Sequence, residues 1–329
     1  HVRSRRQRQM CIRDSLILSA CDMNDNKPNP EQIPYVLNQH NDERIDNYYW
    51  MRDDTRSSEK VLSYLRAENA YADQWFAARN NYKKDLFDEL MLQVAEEETS
   101  FAVNNNGYKY YEKTKKLDQL SRFYRSDSLG EEFLILDPNI KLINQEYYDV
   151  KSIAPSFDNS LIAISEDNNG RREYTIKIID SESMTERDDL VENTTGTVIW
   201  TDNNEYILYL KKDPVTLISN SVYAHKIGLP SSTDVLLYRE DDPEFNLSLS
   251  LSKTKKYAFI NIEATNLNEI RLIDINKPLE DPMLFMSRSK NHLYYLEHHK
   301  DESFLVLSNK DAPNFKVLKS QLSNVNSIG

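Results

Sequence analysis

A polar turn followed by an apolar strand recurs four times along this chain at nearly constant spacing, and few folds accommodate such a repeat. The segments run Phe157 to Ile164 (FDNSLIAI), Thr201 to Leu208 (TDNNEYIL), Ser252 to Phe259 (SKTKKYAF) and Lys300 to Leu307 (KDESFLVL). Asp158 to Asp202 is 44 residues, Thr201 to Ser252 is 51, and Ser252 to Lys300 is 48. Each unit continues into a second strand, at Tyr174 to Asp180, Ser221 to Lys226, Glu269 to Asp274 and Asn314 to Leu318. From Tyr108 onward the hydrophobic period is two, broken by turns of Asn, Asp, Gly and Pro. Repeats of this length holding about four strands are the mark of β-propeller blades. A β-sandwich would lack the self-similarity, and an up-and-down barrel has no need of so long a repeat. With a less regular first blade from Gly107 to Pro138, about five blades are expected within 101–329.

Composition narrows the class. The 329 residues are 39% hydrophobic and 29% charged, which is a globular balance and not a disordered one. A formal net charge of −12 argues against nucleic acid as a partner, because displacing counterions from a polyanion takes clustered Lys and Arg. No run of eighteen apolar residues exists, so no transmembrane helix is expected.

The start of the chain reads differently from the rest. Residues 1–15 carry five arginines without apolar periodicity and are read as a non-native leader outside the fold. Leu16 to Cys21 (LILSAC) resembles the end of a bacterial lipoprotein signal, with small residues before a cysteine whose thiol is acylated after cleavage. On that reading Cys21 is the lipidation site, residues 16–32 are signal remnant and tether, and the protein is a periplasmic or cell-envelope lipoprotein touching the membrane only through this anchor. The other cysteine is Cys11, so the folded region offers no disulfide, thiol nucleophile or Cys-based metal site.

Residues 33–100 read as a helical lead-in. Ser57 or Ser58 is placed to cap a helix, with Glu59 favourable to its dipole. Val61, Leu65, Ala72, Trp75 and Phe76 fall near one face, and a second amphipathic stretch from Asp85 to Val94 carries Leu86, Leu90 and Val94 at steps of four.

The segment RIDNYYWMRDDTRSSEKVLSYLRAENAYA, Arg44 to Ala72, resembles the N-terminal signature of the prolyl oligopeptidase family of serine peptidases, in its oligopeptidase B branch. Blade segments add to the likeness: Gly170 to Ile176, Thr195-Gly196 with Val198 to Trp200, Tyr223 to Gly228, the set Arg288, His292, Tyr294 and His298, and Asn309 to Phe315. The resemblance covers about residues 33–329. It implies a seven-bladed propeller of which about five blades are present, N-terminal helices that pack on a catalytic α/β-hydrolase domain, and that domain lying outside these residues.

Its functional implications follow. The parent protein would be a serine endopeptidase cutting short peptides after Arg or Lys, with the propeller as a steric gate and its own C-terminal hydrolase domain as partner. Arg171 and Arg172 would lie near the face meeting that domain, as inter-domain contacts, against the simpler reading of a solvated turn. No G-x-S-x-G elbow occurs in the chain, so no catalytic residue is assigned and the chain by itself is expected to be inactive. No cofactor is implied. A metal shared by His292 and His298 is disfavoured, since six residues of extended strand separate them by about 20 Å. Two other readings stay open: a prolyl-specific oligopeptidase of the same family, and a non-enzymatic propeller lipoprotein binding peptide or glycan.

Overall fold

The computed structural model describes residues 27–322, which fall into two compact units divided between Ala95 and Glu96. The first unit opens on an antiparallel hairpin of β1 (Tyr35–Gln39) and β2 (Asp42–Asp46). Its turn residues His40 and Asn41 sit at φ 54° and 61°, the conformation that suits a two-residue hairpin to the strand twist. The aromatic run then anchors back on the chain before it. Tyr49 stacks on Tyr35 at 4.0 Å between ring centroids, and Trp50 Nε1 donates to the Glu31 carbonyl at 2.8 Å.

Helix α1 (Glu59–Ala77) starts after Ser58, but the Ser58 hydroxyl makes no capping bond. Asp53 acts instead, accepting the Ser58 N–H at 2.7 Å. Helix α2 (Asn80–Met91) begins ahead of the expected Asp85. Of the two apolar stripes only Val61 is buried, while Leu65, Trp75, Phe76, Leu86 and Leu90 are exposed.

The second unit is a series of antiparallel sheets. In the first, β3 (Glu98–Thr99) and β4 (Val103–Asn105) both lie along β5 (Tyr108–Thr114), followed by β6 (Arg122–Ser126) and β7 (Glu132–Leu136). This blade recruits residues upstream of Gly107, because the two short strands share one edge of β5 on either side of a break. A short helix α3 (Pro138–Leu142), capped by the Asp137 carboxylate, leads out of it.

Seven strands then form one continuous sheet that serves as two blades. Blade two comprises β8 (Asp149–Pro155), β9 (Leu161–Asp167), β10 (Tyr174–Asp180) and the first half of β11 (Glu186–Trp200). Blade three comprises the second half of β11, β12 (Tyr206–Lys212), β13 (Ser219–Lys226) and β14 (Val235–Arg239). The hand-over falls at Thr194: β10 pairs with β11 up to that residue, β12 pairs from it onward, and the register breaks before Val198. Blade four is β15 (Asn246–Leu251), β16 (Tyr257–Glu263), β17 (Asn268–Asp274) and β18 (Met283–Met286). The last sheet holds β19 (Tyr294–His298), β20 (Ser303–Ser308) and β21 (Lys316–Gln321) among the described residues.

The recurring segments are the inner hairpins of blades two to five. The N–H of Ser156, Thr201 and Ser252 donates to the carbonyl five residues on, at 2.9, 3.0 and 2.9 Å. The fourth turn position, Asn159, Asn204, Lys255 or Glu302, sits at φ 61°, 57°, 58° or 63°. A turn closed by one left-handed residue explains why these segments look alike without glycine.

Strand alternation explains the core. In β12, Ile207 and Tyr209 pack toward blade two while Leu208 and Leu210 pack toward blade four. In β16, Ala258, Ile260 and Ile262 face blade three, and Tyr257 and Phe259 face the last sheet. Strands apolar on both faces are buried between neighbours, so each sheet-to-sheet interface is a hydrophobic core of its own. The outward face of the last sheet leaves Tyr295, Leu305, Leu307 and Val317 exposed.

Candidate functional site: the loop face of the propeller

In every blade the turns joining strands one to two and three to four lie at one end. The loops joining two to three, and the crossings to the next blade, lie at the other. The two ends differ in chemistry. At the inner-turn end, Asn159 Oδ1 accepts from Asn105 Nδ2 and Tyr110 Oη at 2.9 Å each, and the Phe157 N–H donates to Asn204 Oδ1 at 3.1 Å. Lys255 Nζ reaches Asn105 Oδ1 at 3.1 Å from three blades away. This end is a polar mesh that fastens inner turns to one another.

The loop end carries exposed apolar side chains and one basic pair. Leu117 of the β5–β6 loop is 93% exposed, Ile143 after α3 is 77% exposed and Val215 of the β12–β13 loop is 87% exposed. Ile140, Tyr147 and Leu217 are exposed beside them. Exposed apolar side chains suit a contact surface, and the inner-turn end carries one as well, Leu129 of the β6–β7 turn, 90% exposed.

Arg171 and Arg172 lie on this face, in the β9–β10 loop. The loop is built around Asp167, fully buried. Its Oδ1 accepts the N–H groups of Asn169 and Gly170 at 2.9 and 3.1 Å, and its Oδ2 accepts that of Arg172 at 2.7 Å. Gly170 and Arg172 take positive φ, 76° and 56°, which lets the chain wrap one carboxylate. The Arg172 carbonyl accepts from Lys212 Nζ at 2.9 Å, tying the loop to blade three. Both arginines are exposed on this fixed frame, and neither makes an ion pair with a carboxylate among the described residues. Such a pair is free to make a charge-assisted contact with an incoming acidic group.

The other residues singled out from the sequence are structural. His292 Nε2 bonds the Ser308 hydroxyl at 2.9 Å, and His298 Nδ1 bonds Thr254 Oγ1 at 2.7 Å. Burial pushes both imidazoles below their ordinary pKa. The Ser308–His292 pair carries no acid and is sealed from solvent, so it offers no reachable nucleophile. Arg288 lies over Phe245 at 4.0 Å and bonds Glu240 at 2.6 Å and Glu269 at 3.4 Å. Burial pushes the Glu240 carboxyl up, yet Arg288 and the Asp242 N–H outweigh it and hold it below the usual range. Among the described residues no group of three or more His, Cys, Asp and Glu is placed to hold a metal ion. Cys21 and residues 1–15 lie outside the described residues. The apolar loop residues Leu117, Ile143 and Val215 were missed in the sequence, where single apolar residues in polar loops carry no periodic signal.

Comparison with known proteins agrees with this architecture. The profile for the prolyl oligopeptidase N-terminal β-propeller domain matches residues 28–328. Dipeptidyl aminopeptidase BI of Pseudoxanthomonas mexicana is 31% identical over 324 residues, which cover 92% of this chain and 44% of that protein. The structure of oligopeptidase B from Leishmania major superposes with a TM-score of 0.85 at 24% identity, over 90% of this chain and 44% of its own. Oligopeptidase B from Trypanosoma brucei, solved in closed form with covalently bound antipain, gives 0.82 at 26% identity over the same shares. The chain thus spans less than half the length of these relatives. It belongs to the prolyl oligopeptidase family of serine peptidases, and its residues form that family's N-terminal β-propeller.

Proposed function

We propose that this chain is the gating propeller of an oligopeptidase B-like serine endopeptidase that hydrolyses short peptides after Arg or Lys. The observation that carries the reading is the loop face, where exposed apolar side chains share one end of the propeller with an arginine pair that has no carboxylate partner among the described residues. A face bearing Leu117, Ile143, Val215 and Leu217 together with Arg171 and Arg172 on their fixed loop suits a docked hydrolase domain. There the arginines would pair with carboxylates across the gap and bias opening or closing. The exposed outward side of the last sheet suits a further blade, and the exposed stripes of α1 and α2 suit packing on the same hydrolase domain. Catalysis would follow the family's serine, histidine and aspartate logic, with backbone N–H groups holding the oxyanion. No residue of the propeller would touch the scissile bond. The lipoprotein reading of Cys21 belongs to this proposal and rests on the LSAC box.

The test is the full-length gene product expressed from its authentic start. It is expected to cleave an Arg-containing dipeptide amide in preference to a Pro-containing one, to lose activity to a serine-directed inhibitor, and to fractionate with membranes through an acylated Cys21. Preference for the Pro substrate would replace the Arg/Lys specificity with the prolyl one. Peptide binding with no turnover would favour a binding protein, and an unmodified Cys21 would remove the anchor.

A further inference from the structure

His225 is fully buried on β13, and no step of the proposed chemistry uses it. Two buried carboxylates flank its ring. Nδ1 lies 2.7 Å from Asp234 Oδ1, and Nε2 lies 3.3 Å from Asp189 Oδ1. Asp234 stands between β13 and β14 in blade three, whereas Asp189 stands on the half of β11 that belongs to blade two. The ring therefore bridges two blades near the inner-turn end, where His225 pairs with Ile207, away from the hand-over at Thr194.

The carboxylates are already committed to other donors. Asp234 Oδ2 accepts from Tyr209 Oη at 2.7 Å. Asp189 Oδ1 also accepts from the Gly228 N–H, and Asp189 Oδ2 lies 3.4 Å from Arg187 Nε. With every other contact supplied by a donor, both acids are best satisfied as carboxylates. A neutral imidazole has one N–H and serves only one of them, leaving a lone pair facing the other. An imidazolium serves both. The charges agree: Asp189, Asp234, Arg187 and a protonated His225 sum to zero, and loss of the proton leaves a buried excess negative charge. Tyr209 stays neutral, its phenol pushed up by burial and by Asp234, and Tyr223 stacks on it at 5.7 Å with Lys211 over both rings.

We propose that His225 is a buried imidazolium stapling blade two to blade three across the strand they share, and that its deprotonation loosens this junction so that alkaline pH alters the angle between the blades. Burial by itself would lower the proton affinity of His225, but Asp234 and Asp189 outweigh it and raise the pKa above its ordinary value. A raised folded-state pKa means a stabilisation fully present below about pH 6.5, the unperturbed histidine value, and lost as pH climbs through the folded-state value. His292 and His298 are shifted the other way, so their contribution is lost as pH falls and does not mimic the effect.

The experiment uses the full-length protein with isotope-labelled histidine. The His225 ring is expected to remain mostly doubly protonated at pH 6.5, where an unperturbed imidazole is half neutral. Asp189→Asn is expected to lower its proton affinity by about tenfold or more. Hydrogen exchange, corrected for its intrinsic pH dependence, is expected to rise on deprotonation in residues 186–200 and 219–239 and to stay unchanged in 257–274. His225→Gln assigns the resonance; if that variant does not fold, the shift caused by Asp189→Asn assigns it instead. A ring half neutral or more at pH 6.5, or exchange that rises equally in blade four, overturns the proposal.

Discussion

Gly196 is the residue on which the hand-over between blades two and three turns. Its φ is +82°, and a Cβ there would lie 2.7 Å from Lys151 Cγ and 2.9 Å from Tyr174 Cγ. The hydroxyl of Thr194 fixes the bulge by donating to the Tyr174 carbonyl at 2.9 Å and accepting the Gly196 N–H at 3.1 Å. Gly196→Ala adds a left-handed penalty to an overlap, together roughly 2–4 kcal/mol. Urea unfolding is expected to show a lower midpoint with an unchanged slope; a midpoint within error of wild type would refute the close approach. Thr195-Gly196 drew notice in the sequence only as part of a resemblance. Its physical reason, a bulge that passes one strand between two sheets, depends on the pairing partners Tyr174 and Lys211, which lie on separate strands, and was not legible locally. The Asp189–His225–Asp234 staple was hidden for the same cause, since its members come from three elements. Arg171 and Arg172 were legible as a basic pair, while the carboxylate of Asp167 that frames them reads in sequence as one more acidic turn residue.

At the scale of elements, two-faced burial is what the propeller asks of each strand. Leu208 is fully buried between blades three and four, so Leu208→Ala leaves a cavity that neither sheet can fill alone. The expected cost is about 2–5 kcal/mol, with the loss read by thermal unfolding, and a cost under about 1 kcal/mol would mean the sheets do not interlock as described. The second strands were legible because their two apolar faces merge into runs such as LIAI and YILYL. Inner strands β8 and β15 were harder to read, because polar residues interrupt DVKSIAP and alternate through NLSLSL, so neither forms an apolar run. Blade one was legible least: β3 and β4 carry two and three residues, too few for any period. In the lead-in the start of α1 after Ser58 was marked, the start of α2 at Asn80 fell five residues ahead of the expected Asp85, and both apolar stripes proved largely exposed. An amphipathic pattern reports that a face seeks a partner, and says nothing of where that partner lies.

The propeller has a polarity along its axis, with short hydrogen-bonded turns at one end and loops bearing Leu117, Ile143, Val215 and the Arg171–Arg172 pair at the other. Self-similarity at 44 to 51 residues was the strongest signal in the sequence, because propeller blades are equivalent units that each bury both faces. The polarity was invisible there, since it arises only when loops distant in the chain meet on one face. Hydrogen exchange compared between the 329-residue chain and the full-length gene product tests the central claim most directly. Docking of a hydrolase domain on the loop face predicts added protection in residues 115–121, 140–147, 168–173 and 213–218, with none at the inner turns 156–160, 201–205 and 252–256. Protection confined to those inner turns, or absent from the loop face altogether, would contradict it.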